Sequence, residues 1–149
     1  KGGMMMHCMD TEVLEVAGDG KTAKGAWISP GHETYVDGQV PGRPDETGDG
    51  KAHAEWCWGK YAVDFIKDAD GQWKIWHMRL YPLFKCEYGT SWVEAEQPTA
   101  DEFAFTSAEK NVSMWTYSPT EVYPANEPAI PWPYKHFEDV GITFMDEEG

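Results

Sequence analysis

A long aromatic hairpin is the feature of this sequence that most constrains the fold. Residues 52–84 contain two β-rich runs, AHAEWCWGKYAVDFIK and QWKIWHMRLYPLF, joined by the turn sequence DADG. Turn residues between two such runs are the strongest short-range signal for a hairpin. Ionisable side chains interrupt the apolar ones, namely His53, Glu55, His77 and Arg79. Because an unpaired buried polar group is costly, we expect these groups to find partners in the protein or in a ligand, and we predict that the hairpin forms a pocket wall.

Length, charge and cysteine content limit the class of protein. A chain of 149 residues is long enough for one domain with its own core. A net charge of −14 argues against nucleic acid or an anionic membrane as partner. The three cysteines show no CxxC spacing, which favours reduced thiols in a cytoplasmic protein, with a disulfide pair as the minor alternative. No run approaches transmembrane length, and no signal peptide is visible.

The hairpin belongs to a predicted four-stranded sheet. Residues 4–17 and 22–29 are predicted to be strands joined by a glycine turn, and the glycine- and proline-rich segment 30–51 is predicted to be a long mobile loop. Four strands make one curved antiparallel sheet whose concave face needs a cover. The chain shows no convincing amphipathic helix before Glu94, so we expect that it is the later portion of a longer protein.

The remaining third is predicted to be an extension. Residues 99–110 are predicted to form a short helix. Residues 117–133 carry five prolines among Tyr and Trp, which predicts an extended arm. The arm packs either on a neighbouring subunit, our preferred interpretation, or on its own domain. We therefore divide the chain into a sheet portion, 1–93, and a C-terminal extension, 94–149.

Several hairpin residues resemble a known family. The runs GKY (59–61) and DF (64–65), followed by DGQWKI (70–75), are similar to the final hairpin of the SnoaL-like proteins, within the superfamily named after nuclear transport factor 2. The resemblance spans about residues 4–93 and implies an α+β fold, a cone-like curved sheet covered by N-terminal helices that are absent from this chain. It says little about chemistry, because that fold hosts enzymes and inert adaptors alike.

A narrower resemblance, to scytalone dehydratase and the bile-acid dehydratases, concerns two histidines. In those enzymes a catalytic His precedes the first long strand, and in scytalone dehydratase a second His closes the next strand; His7 and His32 lie in corresponding places. The Tyr and Asp that complete those sites, on the early helices, have no match in this chain. From its Met- and Cys-rich surroundings, His7 is either a neutral general acid or base or a core histidine. His32 is either a second catalytic group or a surface residue.

Residues of the second hairpin arm are the other catalytic candidates. In an unbroken strand, His77 and Arg79 lie on the same side as Trp73 and Tyr81. They therefore enter the cavity if the Trp73 side faces it, as the resemblance implies. Arg79 would then bind an oxyanion, or it would form an internal ion pair with Glu55 or Asp64. We expect the pKa of Glu55 to be raised unless it is paired.

The predicted binding residues line the same cavity. They are Glu55, Trp27, Tyr61, Trp73 and Tyr81, of which Tyr61 is either a hydroxyl donor to substrate or packed wall. The histidine spacings predict no metal site, although zinc held by His7, His53 and His77 is a minor alternative.

The functional prediction is a cofactor-independent lyase (a dehydratase) or isomerase of the SnoaL-like type. It would transfer protons on a hydrophobic cyclic or aromatic small molecule. The alternatives are a non-catalytic module that binds a small molecule or assembles with a partner on the same cone, and the small subunit of a ring-hydroxylating dioxygenase. A dimer or trimer is expected, because the outer sheet face and the aromatic arm need burial. A separate N-terminal fragment is a further possible partner, which would complete the cone.

Overall fold

The structure, a computed structural model, is built almost entirely from antiparallel strands. It describes residues 2–36, 50–97, 117–123 and 126–143. The strands are β1 (Met4–His7), β2 (Asp10–Val16), β3 (Thr22–Ser29), β4 (Gly31–Val36), β5 (Ala52–Lys67) and β6 (Trp73–Glu87), and a 3₁₀ turn lies at Phe137–Asp139. None of the described segments forms a helix with the length and apolar character needed to cross a membrane.

Strand β5 is the centre of the sheet. It pairs with β6 along one edge and with β3 and then β4 along the other. Strand β2 continues outward from β3, and β1 continues outward from β4. The result is a mostly antiparallel sheet curled into a half-barrel, which is compatible with the cone-like curvature expected from the sequence.

The long hairpin is confirmed, and three details of the predicted strands are corrected. Strand β5 covers the first predicted arm, Gly71 provides the positive φ of the turn, and β6 extends three residues past the predicted end at residue 84. The segment 30–51 is not all loop, because Gly31–Val36 forms β4 between β1 and β5. The predicted first strand is broken after His7, where the Cys8 amide donates to the carbonyl of Pro30. The helix predicted at 99–110 lies outside the described residues.

Two irregularities in β6 decide which side chains share a face. The pairing shifts between Asp64–His77 and Phe65–Ile75, which leaves Trp76 as an extra residue on β6, and a second shift leaves Leu83 as another. Such bulges re-aim the side chains that follow them. Successive residues of β5 point to opposite faces. His77, opposite Asp64, therefore lies on the other face from Ile75.

We name the two faces by their β5 residues. The site face carries Glu55, Cys57, Tyr61, Val63 and Phe65, and the tail face carries Ala54, Trp56, Lys60, Ala62 and Asp64.

The described part of the C-terminal segment contacts its own sheet. The Gly18 amide donates to the carbonyl of Tyr134 at 2.9 Å, and the Tyr134 hydroxyl bonds to that of Thr22 at 3.1 Å. Lys60 donates to the carbonyl of Glu127 at 2.6 Å. Packing of the predicted arm on a neighbouring subunit stays a prediction.

A buried ion pair fixes this segment to the tail face. Lys24 and Asp64, both buried, approach to 2.9 Å, and Lys24 also donates to the Gly141 carbonyl at 2.6 Å and to the Thr143 hydroxyl at 2.8 Å. His77 Nδ1 lies 3.3 Å from the second Asp64 oxygen, to which the Thr143 amide also donates. Breaking one side of a buried pair is costly, because the other charge stays in a medium of low polarity.

We expect Lys24→Met to lower the free energy of unfolding by about 3–5 kcal/mol, because Asp64 loses its principal counter-charge. Urea unfolding followed by circular dichroism measures this loss. Lys21→Met, at an exposed position immediately before β3, is the matched control and should change stability by no more than about 0.5 kcal/mol. Equal stabilities for the two variants would contradict the buried pair.

Candidate functional site

The carboxylate of Glu33 is the centre of a polar cluster on the site face. Glu33 is only 4% exposed, and register places it opposite Glu55 on β5. One oxygen lies 2.8 Å from Nε2 of His7, and the other accepts from the Tyr35 hydroxyl and from Lys85, the latter at 3.0 Å. Both carboxylate oxygens are therefore satisfied within the protein.

The ammonium of Lys85 bridges the two carboxylates of the cluster. It lies 3.0 Å from Glu33 and 2.8 Å from Glu55, and 4.9 Å from the centre of the Tyr35 ring. Burial alone would lower the pKa of Lys85, but its hydrogen bond to Glu55 and the charge of Glu33 raise it instead. Lys85 is thus held as a cation between two carboxylates.

Glu33 stays ionised although it is buried. Burial would raise its pKa, but hydrogen bonds from His7 and Tyr35 and the charge of Lys85 outweigh burial and lower the pKa to about 2. A carboxylate can only accept hydrogen bonds. The proton in the 2.8 Å contact therefore belongs to Nε2 of His7, and in the neutral form of the ring Nδ1 is the acceptor nitrogen.

Neighbouring groups stay protonated. Burial, followed by the charge of Glu33, raises the pKa of the Cys57 thiol to about 12. Burial and the hydrogen bond to Glu33 raise the pKa of Tyr35. Burial also raises the pKa of Tyr61, with smaller contributions from the charges of Cys57 and Glu33, so this phenol lies within electrostatic reach of the cluster.

Gly31 allows His7 to reach Glu33. Gly31 on β4 pairs directly with His7 on β1. A Cβ at position 31 would approach Nδ1 of His7 to 2.6 Å and the carbonyl oxygen of Cys57 to 2.2 Å. The ring of His7 is 26% exposed, whereas Glu33 is buried beneath it. His7 is therefore the member of this pair that solvent or a ligand can approach.

The other end of the site face is apolar. Cross-strand rows join Leu14 to Gly25, Val63 and Met78, and Val16 to Ala23, Phe65 and Ile75. The outer members of these rows are substantially exposed, from 40% for Met78 to 62% for Ile75. The site face thus combines a polar cluster with an apolar surface.

The structure separates the predicted site residues into two groups. On the site face lie His7, Glu55, Trp27, Tyr61 and Trp73; on the tail face lie His32, His77, Arg79 and Tyr81. Because His7 pairs with Gly31 while His32 pairs with Trp56, the two histidines of the dehydratase resemblance are on opposite faces.

The expected roles of the second-arm residues change because of the bulge at Trp76. His77 and Arg79 do not share a face with Trp73, and His77 contacts Asp64. The guanidinium of Arg79 lies 5.7 Å from the centre of the Tyr81 ring.

The expected partner of Glu55 and the predicted zinc ligands also change. Glu55 pairs with Lys85 rather than with Arg79. The histidine triad considered for zinc is not assembled, since His77 faces away from His7 and His53.

Of the binding candidates, Trp27 covers Gly25 within the apolar surface, and Trp73 lies at the start of β6. Trp27 contacts Phe65 edge-on and donates from its indole nitrogen to Glu12 at 3.4 Å. Trp73 is 42% exposed, with the Lys67 ammonium 4.8 Å from its ring centre. Tyr81 is fully buried on the tail face and cannot contact a ligand on the site face.

Sequence reasoning missed Glu33, Tyr35 and Lys85. The first two lay in the segment predicted to be a loop, although the alternation of Glu33 and Tyr35 with Thr34 and Val36 is a strand signal. Lys85 follows the predicted end of the hairpin, and only the pairing of Cys57 with Lys85 brings it to the cluster. The same cluster offers a donor set for a metal, His7, Glu33 and Cys57, whose ligand atoms lie within 4.8 Å of one another.

No protein-family model matches this chain, and no curated protein matches it. The resemblance to the SnoaL-like proteins therefore stays a prediction based on the hairpin residues.

We expect Glu33→Gln to lower the free energy of unfolding at pH 7 by about 3 kcal/mol, which corresponds to the depression of its pKa from 4.5 to about 2. Because the folded-state pKa is the lower one, this contribution is complete above pH 4.5 and is lost as the pH falls toward 2. The stability difference between wild type and variant should therefore shrink between pH 7 and pH 3.

Glu87→Gln is the matched control for that experiment. Glu87 lies opposite Glu55 on β6 but is exposed, so its substitution should change stability by no more than about 0.5 kcal/mol at either pH. A Glu33→Gln variant as stable as Glu87→Gln would show that Glu33 is not a buried, paired carboxylate.

Proposed function

We propose that the protein is a cofactor-independent lyase, a dehydratase or an isomerase that transfers a proton on a hydrophobic cyclic or aromatic small molecule. The proposal joins the resemblance to SnoaL-like proteins with one observation, the 2.8 Å contact between His7 and the buried Glu33 on a face that also carries an apolar surface. A neutral imidazole oriented by a carboxylate is suited to general acid–base chemistry.

The His7–Glu33 pair would work as a base and its orienter. Nε2–H donates to Glu33, so Nδ1, on the ring edge beside Gly31, carries the lone pair that would accept a proton from the substrate. The imidazolium that forms is stabilised by the adjacent carboxylate, which stays ionised because its pKa is about 2. The protonated ring can then return its proton to a different carbon or to a leaving hydroxyl, which gives isomerisation or dehydration.

Other groups of the site face would hold the substrate. The raised pKa of Tyr61 keeps its hydroxyl protonated, so it can donate a hydrogen bond to a carbonyl or enolate oxygen. Met78 and the half-buried Phe65 offer apolar surface at the other end of the same face. His32, His77 and Arg79 have no part in this proposal, because they lie on the tail face.

A second candidate function is a non-catalytic binding or assembly module. The observation that favours it is the saturation of the cluster, in which Glu33 has three partners and Lys85 bridges two carboxylates. In this case the exposed apolar surface would be buried in a dimer or trimer, or against a partner such as a dioxygenase large subunit.

The first test uses 5-nitrobenzisoxazole, a flat aromatic molecule whose ring opens when a base removes its C–H proton. We expect the reduced, metal-free protein to accelerate this elimination, and His7→Gln to lower the rate about a hundredfold, because glutamine keeps a donor for Glu33 but provides no base. The rate is followed by absorbance of the phenolate product.

His136→Gln is the matched control, since His136 is exposed beside the turn that precedes β3 and contacts Asp19. It should leave the elimination rate unchanged. A His7→Gln rate equal to that of His136→Gln would contradict the acid–base proposal and favour the binding module.

A further inference from the structure

We propose that His7, Glu33 and Cys57 form a binding site for a divalent transition metal, with zinc as the preferred ion. The three side chains come from β1, β4 and β5, and converge on the site face with one ligand atom each within 4.8 Å of the others. This proposal does not rest on the enzymatic one.

The donor set selects the class of metal. One imidazole nitrogen, one carboxylate oxygen and one thiolate sulfur suit zinc and cobalt, whereas magnesium and calcium prefer sites made of oxygen alone. Ligand atoms bound tetrahedrally to zinc lie roughly 3.5 Å apart, so closure around the ion requires movements of about 1 Å. The partly exposed ring of His7 is the member with room to move.

The charge of the cluster favours a cation. Two carboxylates, Glu33 and Glu55, surround the single ammonium of Lys85, which leaves one negative charge in a largely buried place. A divalent ion that displaces the thiol proton adds one positive charge in all. The loaded cluster is then neutral, which lowers the cost of its burial.

The binding step is balanced by two proton movements. The S–H bond of Cys57 breaks, the proton leaves to solvent, and the sulfur binds the metal. The proton of His7 leaves Nε2 and Nδ1 takes one up from solvent, so that the Nε2 lone pair binds the metal in place of its hydrogen bond to Glu33. No oxidant or reductant is needed.

Neighbouring groups already support a metal-binding geometry. Tyr35 and Lys85 both contact the second oxygen of Glu33, which directs the first oxygen toward His7. Three protein ligands leave a fourth position of a tetrahedral ion for solvent or a small ligand. Solvent would reach the ion past His7, the exposed member of the set.

Zinc and the proposed proton transfer compete for His7. In the loaded site Nδ1 carries a proton and cannot act as a base, so zinc should inhibit the elimination of 5-nitrobenzisoxazole if both proposals hold. Metal binding without any elimination activity would support the metal site and overturn the proposed function. Elimination activity without metal binding would support the proposed function and overturn the metal site.

The test is a titration of the reduced, chelator-treated protein with cobalt(II) chloride. We expect an intense near-ultraviolet thiolate-to-cobalt absorption band, which excess zinc removes and excess magnesium leaves. The band should be lost in Cys57→Ser. It should be retained in Cys86→Ser and Cys8→Ser, because neither of these two free thiols belongs to the proposed donor set. The absence of a band in the wild type, its removal by magnesium, or its loss in Cys8→Ser with retention in Cys57→Ser would overturn the proposal.

His7→Gln decides the question if Cys57→Ser does not fold, because position 7 is partly exposed. We expect this variant to bind cobalt at least about tenfold more weakly and to lose the increase in Tm that zinc gives the wild type. Equal cobalt affinity in His7→Gln and wild type would overturn the proposal.

Discussion

Strand β5 is the element on which the rest of the structure depends, because it is hydrogen-bonded along both edges. It pairs with β6 over nearly its full length, and the two shorter strands β3 and β4 share its other edge. A one-residue slip of this strand would exchange the two faces of the sheet. The fixed register therefore determines that Glu55 and Cys57 face the polar cluster while Lys60 and Asp64 face the C-terminal segment.

Each face contains one buried carboxylate with a lysine counter-charge, and the two are used differently. On the tail face, Asp64 and Lys24 are closed off by Gly141 and Thr143. On the site face, Glu33 is equally buried, but one of its partners, His7, reaches solvent. Replacing a whole buried pair by apolar side chains is often neutral, even though removing one partner is costly. The arrangement of Glu33 is accordingly easier to explain as a site than as a source of stability.

The hairpin and the alternation within β5 were predictable, because turn residues and β-rich runs act locally. The bulges at Trp76 and Leu83 were not, since nothing in those two residues distinguishes an extra residue from a paired one. That one-residue difference moved His77 and Arg79 to the tail face. Strand β4 was hidden by the glycines and prolines that surround it, and with it Glu33. His7 was found by its resemblance to the dehydratases, while its partner depends on long-range pairing.

The tautomer of His7 tests the central claim, that a buried, ionised Glu33 orients this ring. Long-range proton–nitrogen NMR correlations on the reduced, metal-free protein distinguish the two neutral imidazole forms directly. The account predicts that neutral His7 carries its proton on Nε2, donated to Glu33, with Nδ1 unprotonated. A neutral ring protonated on Nδ1, or averaging rapidly between both forms, would contradict it.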